Sequence, residues 1–574
     1  MYVEINNLPA ALDRYGKGPL HARLAQFPAW SEWVEAESEN LHALQDSLTQ
    51  LFGLEWDKLS EDILGGRIAL AMWPVQASNN QTDTPQRSGT LIVLQSQDAE
   101  SLQTVAAGFR EMQSTFGIKW SPQDAGGETI HVGIDSANPE QTRFALATVG
   151  QTAFLADSTE ICQAALKLYA DAATPQNSVP QSSLAGVDSF QTAVSTLPPT
   201  SDAIAFLNPV PWQGVLEQRI LALPTVGATE DNDAQARLQQ TLATWKSLSY
   251  AAASLELNSD MQFSGVMQFD EAKLPAPLEA FLQSASGETK LLQAIPADCL
   301  AAVAIHLDLS KLPGWFSEGP GASSILRQMI SALGTDFGAH LAEVGNPPWL
   351  EDRVGDTAQG ATGDRIDAGP FPLAWVFEMS LRTPINVAEL PSDYDAMLRE
   401  AMPELMNLAF RATSSQWLSN LRTLVDQGAQ LSSLEEWTLF AAGDSTTYGL
   451  KNGFVLASSS AEAIAEFRAQ TDVPTLADDD VLGPMILRPV FGEAPNQVVF
   501  LNCRRLREFL SRRGIEIADA IADAQEVTPT SAKLAVARMV EVLSLADYVT
   551  ATAHVAPDRV AVSLHISADE SVGK

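Results

Sequence analysis

Alternating apolar and polar residues, punctuated by Gly and Pro, divide the chain into short strands and amphipathic helices. Tyr2 to Asn6 has strand character. Leu20, Leu24, Phe27, Trp30 and Trp33 then recur at near-helical spacing, which predicts a helix that Pro28 breaks or kinks and in which Trp30 and Trp33 are packing residues. A second helix is predicted from about Glu37 to Phe52, through Leu41, Leu44, Leu48 and Leu51. Gly65-Gly66 turns the chain into a strand over Arg67 to Trp73, and a polar loop, Gln76 to Ser88, leads to another over Thr90 to Gln95. A helix follows with Leu102, Val105, Ala106, Phe109 and Met112 on one face. Strands Glu128 to Gly133, Arg143 to Val149 and Thr152 to Asp157 form a meander, the last two joined across Gly150-Gln151.

The second half repeats this plan. A strand begins at Val303, a long Gly- and Asp-rich loop covers Val354 to Pro372, and a strand runs from Leu373 to Met379. Helices are expected between Ser392 and Gly428. Trp437 to Ala442, Thr446 to Leu450 and Gly453 to Ser458 form a second meander, with Asn452-Gly453 as a type I′ hairpin signal. Local sequence matches recur in order at a spacing of about 300 residues. Phe154 to Leu166 matches Phe454 to Phe467, Phe206-Leu207-Asn208 recurs as Phe500-Leu501-Asn502, and Tyr250 to Phe269 matches Tyr548 to Ser567.

These patterns predict an α+β protein with an internal duplication: two related domains, 1–294 and 295–574, each a mainly antiparallel sheet packed by helices. A connector helix is expected at about 277–292, between Pro275 and Pro296. Crossovers of 15 or more residues leave a mixed sheet as the alternative. The length of 574 residues agrees with two cores rather than one.

Charge narrows the partners. The 35 Lys and Arg stand against 71 Asp and Glu, a net of −36. The cations form no run beyond the Arg504-Arg505 and Arg512-Arg513 pairs, so nucleic acid is not an expected partner and an anionic membrane surface is unfavourable. No run of 18 apolar residues and no signal peptide occurs within the chain. The strand pattern nevertheless opens at once, whereas the matching strand of the second half is led in by Ile295-Pro296-Ala297-Asp298. The expectation is that an export signal or anchor precedes Met1.

Candidate chemistry is sparse. Cys162, Cys299 and Cys503 lie in or beside apolar runs and form no C-x-x-C pair, so they read as small hydrophobes. His306, His554 and His565 lie on strands; alignment of the halves sets His306 at Tyr2, His554 at Glu256, and His565 at Met267 or Gln268. All three fall on the polar phase, which predicts a solvated sheet face; a catalytic base is the alternative. His131 also alternates with apolar neighbours. His21, His42 and His340 lie in predicted helices without an i+4 histidine. Asp478-Asp479-Asp480 departs from a calcium loop, because Arg488-Pro489 stands where the closing Glu belongs. Glu230-Asp231-Asn232-Asp233 reads as an acidic helix start. Nucleophile-elbow and phosphate-loop motifs are absent, and Gly319-Pro320-Gly321 reads as a turn. Asn80-Gln81-Thr82 matches a glycosylation sequon. No catalytic, cofactor-binding or metal-binding residue is therefore assigned, and no cofactor is expected.

Ile295 to Pro313, the run Leu64 to Ala69 after Trp56 to Ile63, Gly127 to Gly133 and Phe154 to Leu166 together resemble a family of uncharacterised bacterial exported or envelope-anchored proteins. The resemblance implies a location in the cell envelope or periplasm and brings no catalytic residues with it. The functional expectation is a non-enzymatic, envelope-associated binding or interaction protein whose partner is an apolar small molecule or an envelope protein. The alternatives are a hydrolase with a loop-assembled site, marked by a polar cluster in one half, and a structural assembly component.

Overall fold

In the computed structural model the described residues are 1–74, 88–172, 183–221, 231–289, 291–293, 295–308, 311, 333–343, 373–381, 438–442, 446–451, 454–458, 474–525 and 527–568. The chain divides into two compact units, Met1–Pro275 and Ala276–Lys574.

The first unit has strands β1 (Tyr2–Asn6), β2 (Arg67–Pro74), β3 (Ser88–Gln95), β4 (Ile118–Ala125), β5 (Glu128–Asp135), β6 (Asn138–Val149), β7 (Thr152–Ala156), β8 (Ala203–Leu207), β9 (Leu248–Leu257) and β10 (Met261–Phe269). They pair in the order β4–β5–β6–β7–β3–β2–β1–β8–β9–β10, antiparallel throughout. The long crossovers carry helices: α1 (Leu8–Gly16), α2 (Pro19–Gln26) and α3 (Pro28–Phe52) between β1 and β2, and α4 (Ala99–Thr115) between β3 and β4. Next, α5 (Thr159–Ala172) and α6 (Asp188–Thr196) lie between β7 and β8, and α7 (Gln213–Leu221) and α8 (Asp231–Ser247) between β8 and β9.

Local chemistry accounts for the ends of these elements. Asp98 caps α4 by accepting from Ser101 N at 2.7 Å. Phe27 is extended, so α2 ends at Gln26 and Pro28 opens α3 rather than kinking a continuous helix. The stretch from Glu37 is the continuation of that same α3. Sequence reading missed β4: Lys119, Pro122, Gln123 and Asp124 hide its period, and a proline is tolerated because β4 ends the sheet order.

The second unit opens with α9 (Ala276–Ala285), followed by β11 (Ala301–His306), β12 (Leu333–Glu343), β13 (Leu373–Leu381), β14 (Thr438–Ala442), β15 (Thr446–Lys451) and β16 (Phe454–Ser458). It continues with β17 (Gln497–Asn502), α10 (Cys503–Gln525), α11 (Pro529–Leu543), β18 (Tyr548–Ala556) and β19 (Arg559–Ser567). The strand order is β14–β15–β16–β13–β12–β11–β17–β18–β19, again antiparallel. The antiparallel α+β reading thus holds, and the strands paired among the described residues include no parallel neighbours. Whereas the sequence places the connector helix before the boundary, α9 packs on β11 and β18 and goes with the second unit.

Setting β11 on β1, β12 on β2, β13 on β3, β16 on β7, β15 on β6, β14 on β5, β17 on β8, β18 on β9 and β19 on β10 gives every strand the same neighbours. β4 has no counterpart among the described residues.

The core of the second unit lies on one sheet face, where Ala302, Ala304, Val498, Phe500 and Tyr548 meet Leu291, Leu292, Ile295, Leu476, Leu482 and Ile486. A second cluster joins α10 to α11 through Phe509, Leu510, Ile517, Ala532 and Val536. In the first unit, Ile130, Val132, Ala145, Ala147, Phe154 and Ala156 pack with Cys162 and Leu166 of α5. On the other face, Leu102 of α4 packs with Ala153, Leu54, Leu59 and Ile63.

His340 lies in β12 opposite Ala302 and is buried, which corrects the helical expectation. Pairing with strands on both sides outweighs the helical propensity of a short Ala-containing run. Among the described residues, no helix is long and apolar enough to cross a membrane. The Val354–Pro372 loop, the helices between Ser392 and Gly428, the Asn452-Gly453 turn, the Gly319-Pro320-Gly321 turn and the Asn80 sequon lie outside the described residues.

Candidate functional site

Alternation along β11, β17, β18 and β19 sends successive side chains to opposite faces. One face is built from the cross-strand rows Val303–Val499–Ala551–Leu564, Ile305–Gln497–Ala553–Val562 and Ala301–Leu501–Val549–Ile566. Gln497 is the one polar side chain in these rows. Nevertheless this is the open face: Val499 is 50% exposed, Val303 38%, and Val562 and Leu564 36% each. The opposite face, with Ala302, Ala304, Thr550 and Thr552 beside Val498, Phe500 and Tyr548, is the buried one. The corresponding rows of the first unit, Ile5–Ala203–Leu255–Phe263 and Leu207–Ala251–Met267, expose Phe263 and Met267.

The three strand histidines therefore lie on the phase opposite the open rows; His306 is nearly buried there, which corrects its solvated-face expectation, whereas His554 and His565 stay partly exposed. Their apolar neighbours marked the open side, whereas the side with Ala302, Val498, Phe500 and Tyr548 is the one on which other segments pack. The pairings also correct two alignments. Phe206 faces Tyr2 and Phe500 faces Ala302, so Ala302 takes the place of Tyr2 and His306 that of Asn6. His565 faces Thr550, which places it at Val266 rather than at Met267 or Gln268. His554 stays at Glu256, and its Nδ1 lies 2.7 Å from Ala494 O.

His306 is the centre of a buried polar cluster where α9 ends on β11. Its Nδ1 lies 2.9 Å from Asp336 Oδ1, with the two side chains 12% and 9% exposed. Gln497 donates to His306 O at 2.7 Å. Asn496, almost wholly buried, donates to Ala285 O at 3.2 Å and Val555 O at 2.8 Å, and accepts from Val555 N at 2.9 Å. Ser284 donates its hydroxyl to Asp308 O at 2.6 Å, and Asp308 N returns a bond to Ser284 O at 2.7 Å.

The far side of the imidazole is closed by Gly287. A β-carbon there would lie 2.3 Å from His306 Nε2, and φ is +152°, so only glycine fits. A His–Asp pair can orient a general base, but that requires an open second nitrogen and a nucleophile within reach. Here Gly287 covers Nε2 and Ser284 points its hydroxyl at a carbonyl. The arrangement pins α9 to the sheet.

The remaining candidates resolve individually. His131 lies beside Arg110, whose Nη1 is 3.0 Å from both ring nitrogens; burial, and then the guanidinium charge, hold its pKa below the ordinary value. Asp479 accepts from Val481 N and Leu482 N just before the short helix Leu482–Ile486, a local turn role for one member of the acidic triplet. All three cysteines are buried, and burial pushes the thiols of Cys162 and Cys503 up to about 11. The Trp30 and Trp33 rings lie 5.0 Å apart, tilted by 36°, but Trp33 is half exposed, which corrects its assignment to packing. Among the described residues, no group of three or more His, Cys, Asp or Glu side chains could hold a metal ion.

Comparison with curated proteins and with solved structures returns no match. A family model described as a protein of unknown function, DUF3352, matches residues 24–338, more than half of the chain and from α2 into β12. The chain belongs to the DUF3352 family of proteins of unknown function.

Proposed function

We propose that this protein is a non-enzymatic binding protein of the cell envelope that holds an apolar small molecule on its open sheet faces. The observation that carries this reading is the row Val303–Val499–Ala551–Leu564, an apolar face left in contact with water in a chain of net charge −36. Covering a half-exposed aliphatic side chain contributes on the order of 1 kcal/mol, and several in one patch mark a binding surface. The envelope location rests on the resemblance carried by Ile295 to Pro313 and Phe154 to Leu166. We read the two units as repeats, on the support of their matching strand neighbours, so that each presents a version of the same face.

Native mass spectrometry of the protein purified gently from its own cells tests this. A discrete added mass that organic extraction removes, and that Val499→Glu with Leu564→Glu abolishes, supports it. A clean chain of 61.6 kDa overturns it. Oligomers dispersed by the same substitutions favour an assembly component instead.

A hydrolase is the second reading, favoured by the His306–Asp336 pair standing in one unit only. Asn6 and Arg67 occupy the corresponding positions of the first unit. It requires Gly287 to move off Nε2. Turnover of an ester or amide substrate that His306→Ala abolishes is what would establish it.

A further inference from the structure

α3 is a helix of 25 residues that contacts α2 and, at its C-terminal end, α4. Leu48 and Phe52 pack against the cluster around Leu102, where α4 comes close enough that a β-carbon on Gly108 would lie 2.7 Å from Leu51 O. Toward its N-terminus the helix is open: Trp33 is 50% exposed, Leu44 55%, and Val34 is also exposed. The positions Trp30, Val34, Glu37, Leu41, Leu44 and Leu48 alternate in spacings of four and three, the seam of a coiled coil. Beyond the covered end, Val34 and Leu44 of this seam are exposed and Trp30 and Glu37 are half-buried.

We propose that this face docks a cationic amphipathic helix of another protein. Charge decides the kind of partner. α3 carries Glu32, Glu35, Glu37, Glu39 and Asp46 and has neither Lys nor Arg. Glu37 stands within the seam, half-buried, its Oε2 accepting from Asn40 at 2.8 Å. A helix laid on the seam desolvates Glu37, and a desolvated carboxylate is tolerated only with an opposing charge. The partner helix therefore presents apolar residues at its own seam and a Lys or Arg opposite Glu37. A second copy of α3 would bring five like charges against five, with no cation to pair with Glu37. The exposed Trp33 beside the seam supplies an aromatic anchor of the kind that dominates helix docking.

The test uses the full chain and two synthetic peptides with leucine heptads, one with Lys at a single seam position and at the flanks, the other with Glu at those sites. Calorimetric titration should show the Lys peptide binding. Trp33→Ala with Leu44→Ala, which leaves the charge unchanged, should weaken it about tenfold. Glu37→Lys should transfer the preference to the Glu peptide, and circular dichroism should show unchanged helix content in each variant. Binding of the Lys peptide that is equal in wild type and variants, absence of binding, or self-association removed by Leu44→Ala each overturns the proposal.

Discussion

Asp202 and Asn496 accept the same backbone hydrogen bond, each in its own unit. Asp202 Oδ2 takes Leu257 N at 2.7 Å, and Asn496 Oδ1 takes Val555 N at 2.9 Å. Their main chains also match: Asn6 N donates to Asp202 O at 2.8 Å and His306 N to Asn496 O at 3.0 Å. The remaining side-chain atoms differ. Asp202 pairs with the half-exposed Arg14, whereas the Asn496 amide donates to two buried carbonyls.

The two sites should accordingly respond unequally to exchange. Asp202→Asn keeps the acceptor and loses a partly screened ion pair, a cost below about 1 kcal/mol. Asn496→Asp sets a carboxylate against Ala285 O and Val555 O with no donor between them, a cost of about 2–5 kcal/mol. Urea denaturation of both variants measures the difference; equal effects would refute the assigned hydrogen bonds.

Gly287→Ala should destabilise the second unit by about 2–4 kcal/mol, because the methyl group displaces His306 and the backbone is strained as well. In a His306→Ala background the steric part disappears and only the strain is left, about 1 kcal/mol. A double-mutant cycle followed by denaturation reads this coupling, and strict additivity would show that the two residues do not touch.

His131 should titrate below the ordinary 6.5, since burial and then Arg110 both disfavour its charged form. The folded chain then binds fewer protons at this site than the unfolded chain. The stability contribution is complete above the unfolded pKa of about 6.5 and is lost as pH falls through it and toward the folded value. Arg110→Met should raise the titration midpoint seen by NMR and reduce the acid-side loss. A midpoint unmoved by the substitution would exclude the guanidinium as a cause.

Which side of the second sheet is covered is directly testable with two adjacent valines. Val498→Thr places a hydroxyl on the buried face and should cost about 1–2 kcal/mol. Val499→Thr, on the open face, should stay within about 0.5 kcal/mol of wild type. Thermal unfolding of the pair measures both, and the reverse order would place the core on the other face.

Much of the strand plan is legible in the residues. The short apolar runs within Arg67–Pro74, Ser88–Gln95 and Leu373–Leu381 and the alternation in Tyr548–Ala556 mark strands, because run length and period are local properties of an extended chain. The buried state of Cys162, Cys299 and Cys503 is likewise readable from their apolar neighbours. The edge strand β4 is not, because an edge tolerates polar residues and Pro122 alike.

By itself the sequence determined the α+β class, most strand positions and the absence of recognisable catalytic motifs, all of which follow from spacing along the chain. Only the tertiary structure decided which side of each strand is covered. Alternation distinguishes two faces, but the side on which Leu291, Leu476 and Ile486 pack depends on segments far away in the chain. The same holds for His306, whose partners Asp336, Gln497 and Gly287 come from three separate stretches that only folding brings together.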